Sequence, residues 1–460
     1  MLRVSAVALA AIGLGSAGAA SPSDPPPPTY VTPPGQRVET YMLAAGHGGR
    51  AVLTWAGPDS RDVIRVWAVH RAPGGSFGRP IALSDAKRSA WLPRTAVMDD
   101  GTELVAWVEE ERHTSWTRVM VATRPPGAAA FSRVRLARVR EPSWLSLATG
   151  PGGSAAASCV QDTKGHIGRA AVAIRGRGGH WGKPEVVTGK GRTVSNPRVA
   201  LDGGGNATAV WDRRPPPWKP VIERATRKRQ HGQAQVRAAV RPRGGRFGRA
   251  QVVSNPHHQA TDVFVAENAH GDAIAVWRTL PSQRNDTDFR LAYAYRPHGQ
   301  AGFGEPHSGA MLASLSYPRA AVAPSGGVSI VWGGRGTRSS CYLCSRIFLA
   351  RRPPDGPLGA PVPLSEDSVF GPETGADRAG NLLVLWTPDS GLREDFQSRV
   401  EGLFVGADGT LGPRRSFSSF GDGIEGEEAG ALTGDGGALV GWHRYAGGRH
   451  RLEAVDAVVP

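Results

Sequence analysis

The chain has 460 residues and a formal net charge of +15, with 61 glycines, 37 prolines and 13 tryptophans, and 40% of its residues are apolar. That much Gly and Pro excludes a helical bundle, and that much apolar content excludes a disordered chain; many short strands joined by turns satisfy both. Nearly all the positive charge is arginine, since only six lysines occur.

At the N-terminus, Arg3 precedes an apolar stretch from Val4 to Gly15, followed by the small-residue pattern Ala17-Gly18-Ala19. This order predicts a secretory signal peptide over residues 1–19, and with it a secreted, extracellular or cell-wall-associated protein. No cysteine stands beside the cleavage pattern to take a lipid anchor. No later run approaches the roughly 20 apolar residues of a spanning helix, so no transmembrane segment is expected. Residues 20–38 read as a Pro-rich tether that also supplies a closing strand. Two readings of the arginine excess stand side by side: a compositional bias, or attraction to anionic polymers. For an exported chain those polymers are cell-wall or extracellular glycans rather than nucleic acid.

From there on, tryptophan marks a repeat. Trp55, Trp107, Trp211, Trp277, Trp332, Trp386 and Trp442 each close an apolar run. The step from Trp107 to Trp211 is twice the step from Trp55 to Trp107, and its midpoint is Cys159, at the end of an equivalent run. Six residues before every anchor stands a glycine: Gly49, Gly101, Gly153, Gly205, Gly271, Gly326, Gly380 and Gly436. Fourteen residues before the anchor, Pro93, Pro197, Pro318 and Pro372 recur. An aromatic-Gly or Leu-Gly pair, such as Phe77-Gly78 or Trp181-Gly182, marks the later part of most units.

The unit from Pro197 to Ser254 shows the plan. Strand one runs over Arg198 to Leu201, a turn over Asp202 to Gly205, strand two over Ala207 to Trp211, strand three over Gln235 to Val240 and strand four over Phe247 to Val253. Strand two is apolar on nearly every residue, so both of its faces must be covered. The expected fold is all-β: a single β-propeller of eight four-stranded blades over residues 39–460, closed by the N-terminal strand, with Tyr30 to Val38 completing a last unit that ends after three strands. On these Trp-ended, Gly-rich units the chain resembles secreted bacterial β-propeller repeat proteins of the actinobacterial type. The resemblance is one of architecture and implies no activity.

Spacing varies between strands two and three, which places the variable loops on the face carrying the inter-blade connections. The longest follows Trp211 and is the most basic. Arg213, Arg214, Trp218, Lys219, Arg224, Arg227, Lys228 and Arg229 are its candidate binding residues for an anionic cell-wall or extracellular glycan, the arginines gripping phosphate or carboxylate in pairs of hydrogen bonds. Glu109-Glu110-Glu111 reads as a solvated loop edge, and Asp99-Asp100-Gly101 as turn chemistry. Cys341 and Cys344 are expected to form a small disulfide, and Cys159 to be a buried free thiol. No motif for a metal, a cofactor or a nucleophile elbow is found.

Two function classes follow. The first is a non-catalytic binding or scaffold protein, a monomer, using the loop face to hold an extracellular polymer or protein. The second is a carbohydrate-active hydrolase or lyase, sialidase-like, over the axial channel. An enzyme should place carboxylates with Arg or His on the innermost strands; Arg198 to Leu201 and Arg319 to Val322 read as mostly small and apolar, which favours binding and leaves no catalytic residue to name.

Overall fold

The computed structural model describes residues 25–458 except residue 34 and the segments 112–113, 115, 141–143, 164–166, 190–192, 215–233, 281–288, 312–317, 335–344, 367–368, 389–397, 421–422 and 424–427. Eight antiparallel units follow one another, each pairing strand one with two, two with three, and three with four. Their first strands are Thr40–Ala45, Ala90–Val97, Leu145–Gly150, Thr193–Leu201, Gln259–Glu267, Arg319–Val322, Val369–Ala376 and Ala429–Leu432. Each first strand touches the first strand of the next unit, and the eighth touches the first. A closed set of neighbours encloses an axis, so the units are blades of an eight-bladed β-propeller with strand one innermost.

Closure joins the two ends of the chain. Thr29–Tyr30 pairs with Arg449–Val458 as the outer strand of blade 8, in the register Thr29 to Ala454 and Tyr30 to Glu453. Val31 N–H continues the ladder to Leu452 O at 2.8 Å, and Leu452 N–H donates to Thr32 Oγ1 at 3.0 Å. The pairing therefore lies slightly earlier than Tyr30 to Val38, whose later residues lead into blade 1. The expected signal peptide, residues 1–19, lies outside the described residues.

The anchors explain the ring's rigidity. All seven tryptophans are fully buried. Each packs against the preceding blade: Trp277 against Val210 and Val236, Trp386 against Val331 and Leu349, and Trp55 across the closure against Leu439 and Leu452. Cys159 fills the same slot in blade 3, packed against Val108 and Val119, and burial pushes its thiol up to about 12. The glycine column has a backbone cause. All eight sit in the strand one–two turn at φ between 73° and 98°, a region that costs any residue with a Cβ.

Two expectations need correction. Strand four is Gln251–Val252 rather than Phe247 to Val253; the aromatic-Gly marker instead makes a separate contact, with Gly248 N–H donating to Val240 O. Glu109-Glu110-Glu111 is no solvated edge. Glu109 and Glu111 are buried and only Glu110 is exposed, because the second strand runs through Glu110 and turns the other two inward. Among the described residues no helix is long and apolar enough to cross a membrane.

Candidate binding site at the axis

In blades 2, 4, 5 and 7 strand one is broken by a β-bulge, with the register shifting at Trp91/Arg94, Ser195/Arg198, Thr261/Phe264 and Phe370/Glu373. At that level Leu92, Trp144, Asn196 and Asp262 hold φ between 50° and 68°, an uncommon state for residues with a Cβ. They occupy one position of the repeat, fifteen residues before the anchor. A bulge re-aims the side chains beside it, and strained residues persist only where their surroundings hold them.

Polar contacts between blades 4 and 5 provide that support. Asp212, the residue after anchor Trp211, is buried and accepts the Asp262 N–H at 2.9 Å and the Val263 N–H at 3.2 Å. Asn196 Nδ2 donates to Val263 O at 2.8 Å, and its Oδ1 accepts Arg198 Nε–H at 3.0 Å. Asp262 is held by Arg278 through Nε at 2.7 Å. The bulge of one blade is thus fastened by side chains of its neighbour.

The bulges of blades 2 and 4 present arginine. The residue after the recurrent proline is Arg94 in blade 2, Arg198 in blade 4, Arg319 in blade 6 and Glu373 in blade 7. Arg319 Nη2 pairs with Glu373 Oε1 at 3.3 Å, and Arg94 Nε–H donates to Leu145 O at 2.9 Å. Arg198 feels all of them. Burial and then the like charges of Arg319 and Arg94 lower its pKa to about 10, against the opposing pull of Glu373 and Asp212. Side chains from blades 2, 4, 6 and 7 can act on one guanidinium only because they converge on the axis. Arg198 hydrogen-bonds through Nε; among the described residues its Nη1 and Nη2 donate to nothing.

The other end of the channel is crossed. Arg378, in the strand one–two turn of blade 7, meets Asp99 in the corresponding turn of blade 2, with Nη1 to Oδ2 at 2.7 Å. Those blades lie three steps apart on the ring, so this ion pair spans the mouth opposite the bulges. Asp99-Asp100-Gly101 also performs the turn chemistry expected of it: Asp100 Oδ1 accepts Thr102 N–H at 2.8 Å.

Of the sequence-derived candidates, two lie within the described residues. Arg213 and Arg214 end the second strand of blade 4, their backbones paired with Val194 and Thr193, just beyond Asp212. Trp218, Lys219, Arg224, Arg227, Lys228 and Arg229 lie outside the described residues, as do Cys341 and Cys344. Cys159 is free and buried. The apolar majority of strand one hides the axial arginines in the sequence. The signal was the proline column itself, followed in blades 2, 4 and 6 by arginine.

No known protein family and no curated protein matches the chain. Solved structures similar to it include a lectin of Burkholderia pseudomallei, at 13% identity and a TM-score of 0.47, covering 84% of this chain and 100% of that one. An α-L-arabinofuranosidase of Fusarium graminearum is 11% identical at a TM-score of 0.41, covering 94% and 96%. The β-propeller domain of a protease from Pyrococcus furiosus is 10% identical at 0.43, covering 84% and 100%. The fold assignment rests on the strand order and the closed ring.

Proposed function

We propose that this protein is an extracellular, non-catalytic binding protein that holds the carboxylate of an acidic glycan at the axial ring. The observation that carries the reading is the convergence of Arg94, Arg198 and Arg319, with the Nη groups of Arg198 open to a ligand. A planar guanidinium receives a carboxylate through two parallel hydrogen bonds, and the burial of Arg198 strengthens them. Carboxylates at the same level already have structural partners: Glu373 has Arg319, Asp212 has two backbone N–H groups, and Asp262 has Arg278. Glu267 and Glu103, whose carboxyls burial pushes upward, are fully buried and paired with Arg296 and Arg124, out of a substrate's reach. That favours binding over glycosidic cleavage, which needs an accessible pair of carboxyls.

The basic loop after Trp211 leaves blade 4 just past Asp212, on the side of the bulges, and Arg224, Arg227, Lys228 and Arg229 are proposed to extend the contact along the same ligand. The test is a panel of acidic and neutral oligosaccharides offered to wild type and to Arg198→Met. Wild type should retain acidic glycans and release no new reducing ends, and the variant should retain them more weakly. Equal retention of neutral glycans, or product release, would contradict the reading.

A further inference from the structure

We propose a second binding surface, independent of the axis: the side of blade 2 that faces blade 1 is a strip for a linear polyuronate chain. It begins with an anomaly of length. Blade 2's outer strand, Ser132–Arg140, has nine residues, whereas the outer strands of blades 1, 3, 4, 6, 7 and 8 have two and that of blade 5 has five. Its last residue, Arg140, also pairs with Asp162 in the second strand of blade 3, a contact the other outer strands do not make in the ladder of their sheets.

The sequence of this strand is Ser-Arg-Val-Arg-Leu-Ala-Arg-Val-Arg. With strict alternation, Arg133 and Arg135 would point to one face and Arg138 and Arg140 to the other. A bulge prevents this. The register runs Arg133 to Ala122 and Arg135 to Met120, then shifts, and resumes with Arg138 to Arg118 and Arg140 to Trp116. Directly opposed residues share a face, and Met120 and Ala122 pack towards blade 1 with Trp107 and Val66. Leu136, Ala137 and Val139 pack on the other face, around Val119 and Val121. One extra residue therefore brings all four arginines, with Arg118 and Trp116, to the side facing blade 1.

Arg133 to Arg140 spans about 23 Å at roughly 3.3 Å per residue. Arg133, Arg135 and Arg138 are exposed. Arg138 and Arg140 lie over the Trp116 ring at 4.4 and 5.4 Å, which fixes their direction without consuming their charge. At the strip's inner end a cavity of about 500 Å³ opens between blades 1 and 2, lined by Arg65, Ser84, Asp85, Glu109, Arg118 and Arg133. Charge on an exposed edge also discourages aggregation, but that purpose needs no common face and no cavity.

The mixture of groups selects the ligand. The guanidinium groups suit carboxylates at intervals along a chain, and Asp85, the exposed carboxylate of the cavity lining, offers an acceptor for sugar hydroxyls. Glu111 occupies part of the strip: its Oε1 accepts Arg118 Nε–H at 2.9 Å, and its Oε2 accepts Arg138 from Nε at 2.9 Å and from Nη2 at 2.8 Å. It therefore competes with a bound polyanion.

The experiment measures binding of sodium polygalacturonate, its carboxyl-reduced form and a single-stranded oligonucleotide to the full chain. The variants are Arg135→Ser/Arg140→Ser, Glu111→Gln and Arg198→Met. The double variant should weaken polygalacturonate binding about tenfold, as the loss of two exposed charge contacts implies. Glu111→Gln should strengthen it, and Arg198→Met should leave the strip's share intact. Strip variants that bind as wild type does, a Glu111→Gln variant with no gain, or oligonucleotide binding as tight as polygalacturonate would each overturn the proposal. Loss confined to Arg198→Met would overturn the strip while leaving the axial site standing.

Discussion

The axis and the rim of blade 2 both present arginine, but they hold it differently. At the axis Arg198 is desolvated, oriented by Asn196 and crowded by Arg94 and Arg319. On the rim Arg138 is largely in water, stacked on Trp116 and paired with Glu111, and its pKa is raised by that partner. The axial group is positioned by the backbone, through bulges fastened between blades; the rim groups are positioned by register along one strand. Geometry should therefore govern the first region and screened charge the second.

The largest effect should come from Trp107, which is buried between blades 1 and 2 beneath the rim cleft and donates from Nε1 to Glu109 Oε1 at 2.9 Å. Trp107→Ala should cost about 3–5 kcal/mol of stability, readable in a denaturant midpoint. It should also abolish the strip's contribution while the axial contribution survives at temperatures where the ring stays folded. Equal damage to both regions would show that they are not separate.

pH separates them next. Arg198 is charged below its lowered pKa of about 10, so axial binding should fall as pH rises through about 10, whereas the rim, with Arg138 raised, should hold. The same shift has a sign for stability. Between about 10 and the higher ordinary arginine value the folded state binds fewer protons than the unfolded one, so the charged form is the one folding disfavours. Arg198→Met should then leave the melting temperature unchanged or raise it, which keeps its binding loss interpretable. A marked drop in melting temperature would make Arg198 a structural residue.

The smallest effect concerns Glu111, held down at about 2 by its hydrogen bonds to Arg138 and Arg118. A carboxylate with a lowered pKa contributes its stability above the ordinary value and loses it only as pH falls through about 2. Glu111 therefore competes with a polyanion throughout the neutral and mildly acidic range. Glu111→Gln should raise rim affinity by the same factor at pH 5 as at pH 8. A gain seen only at pH 8 would mean that Glu111 titrates far higher.

The two regions also differ in what their sequence discloses. Columns with a direct backbone or packing cause are legible: the turn glycines all need positive φ, the tryptophans all fill the gap to the preceding blade, and a last unit one strand short finds its partner at Thr29–Tyr30. Bulges are not. Alternation along Arg133 to Arg140 suggests charges on both faces, and only the shift at Val119/Met120 shows that they share one. Likewise Arg198 looks like the start of an apolar strand until the bulge at Ser195/Arg198 turns it into the channel. Glu111 reads as loop because its partners, Arg118 and Arg138, are brought to it by strand pairing rather than by adjacency in sequence.

The claim that axial arginine receives a carboxylate is tested most directly by a four-way calorimetric cycle. An acidic oligosaccharide retained by the wild type and its carboxyl-reduced counterpart are each titrated into wild type and Arg198→Met, both in the Arg135→Ser/Arg140→Ser background so that the rim is weakened. Wild-type affinity should drop sharply when the carboxyl is reduced. Arg198→Met should bind both forms with the same low affinity, so that the two losses are shared rather than added. If carboxyl reduction weakens Arg198→Met as much as it weakens the wild type, the carboxylate is held elsewhere and the axial account fails.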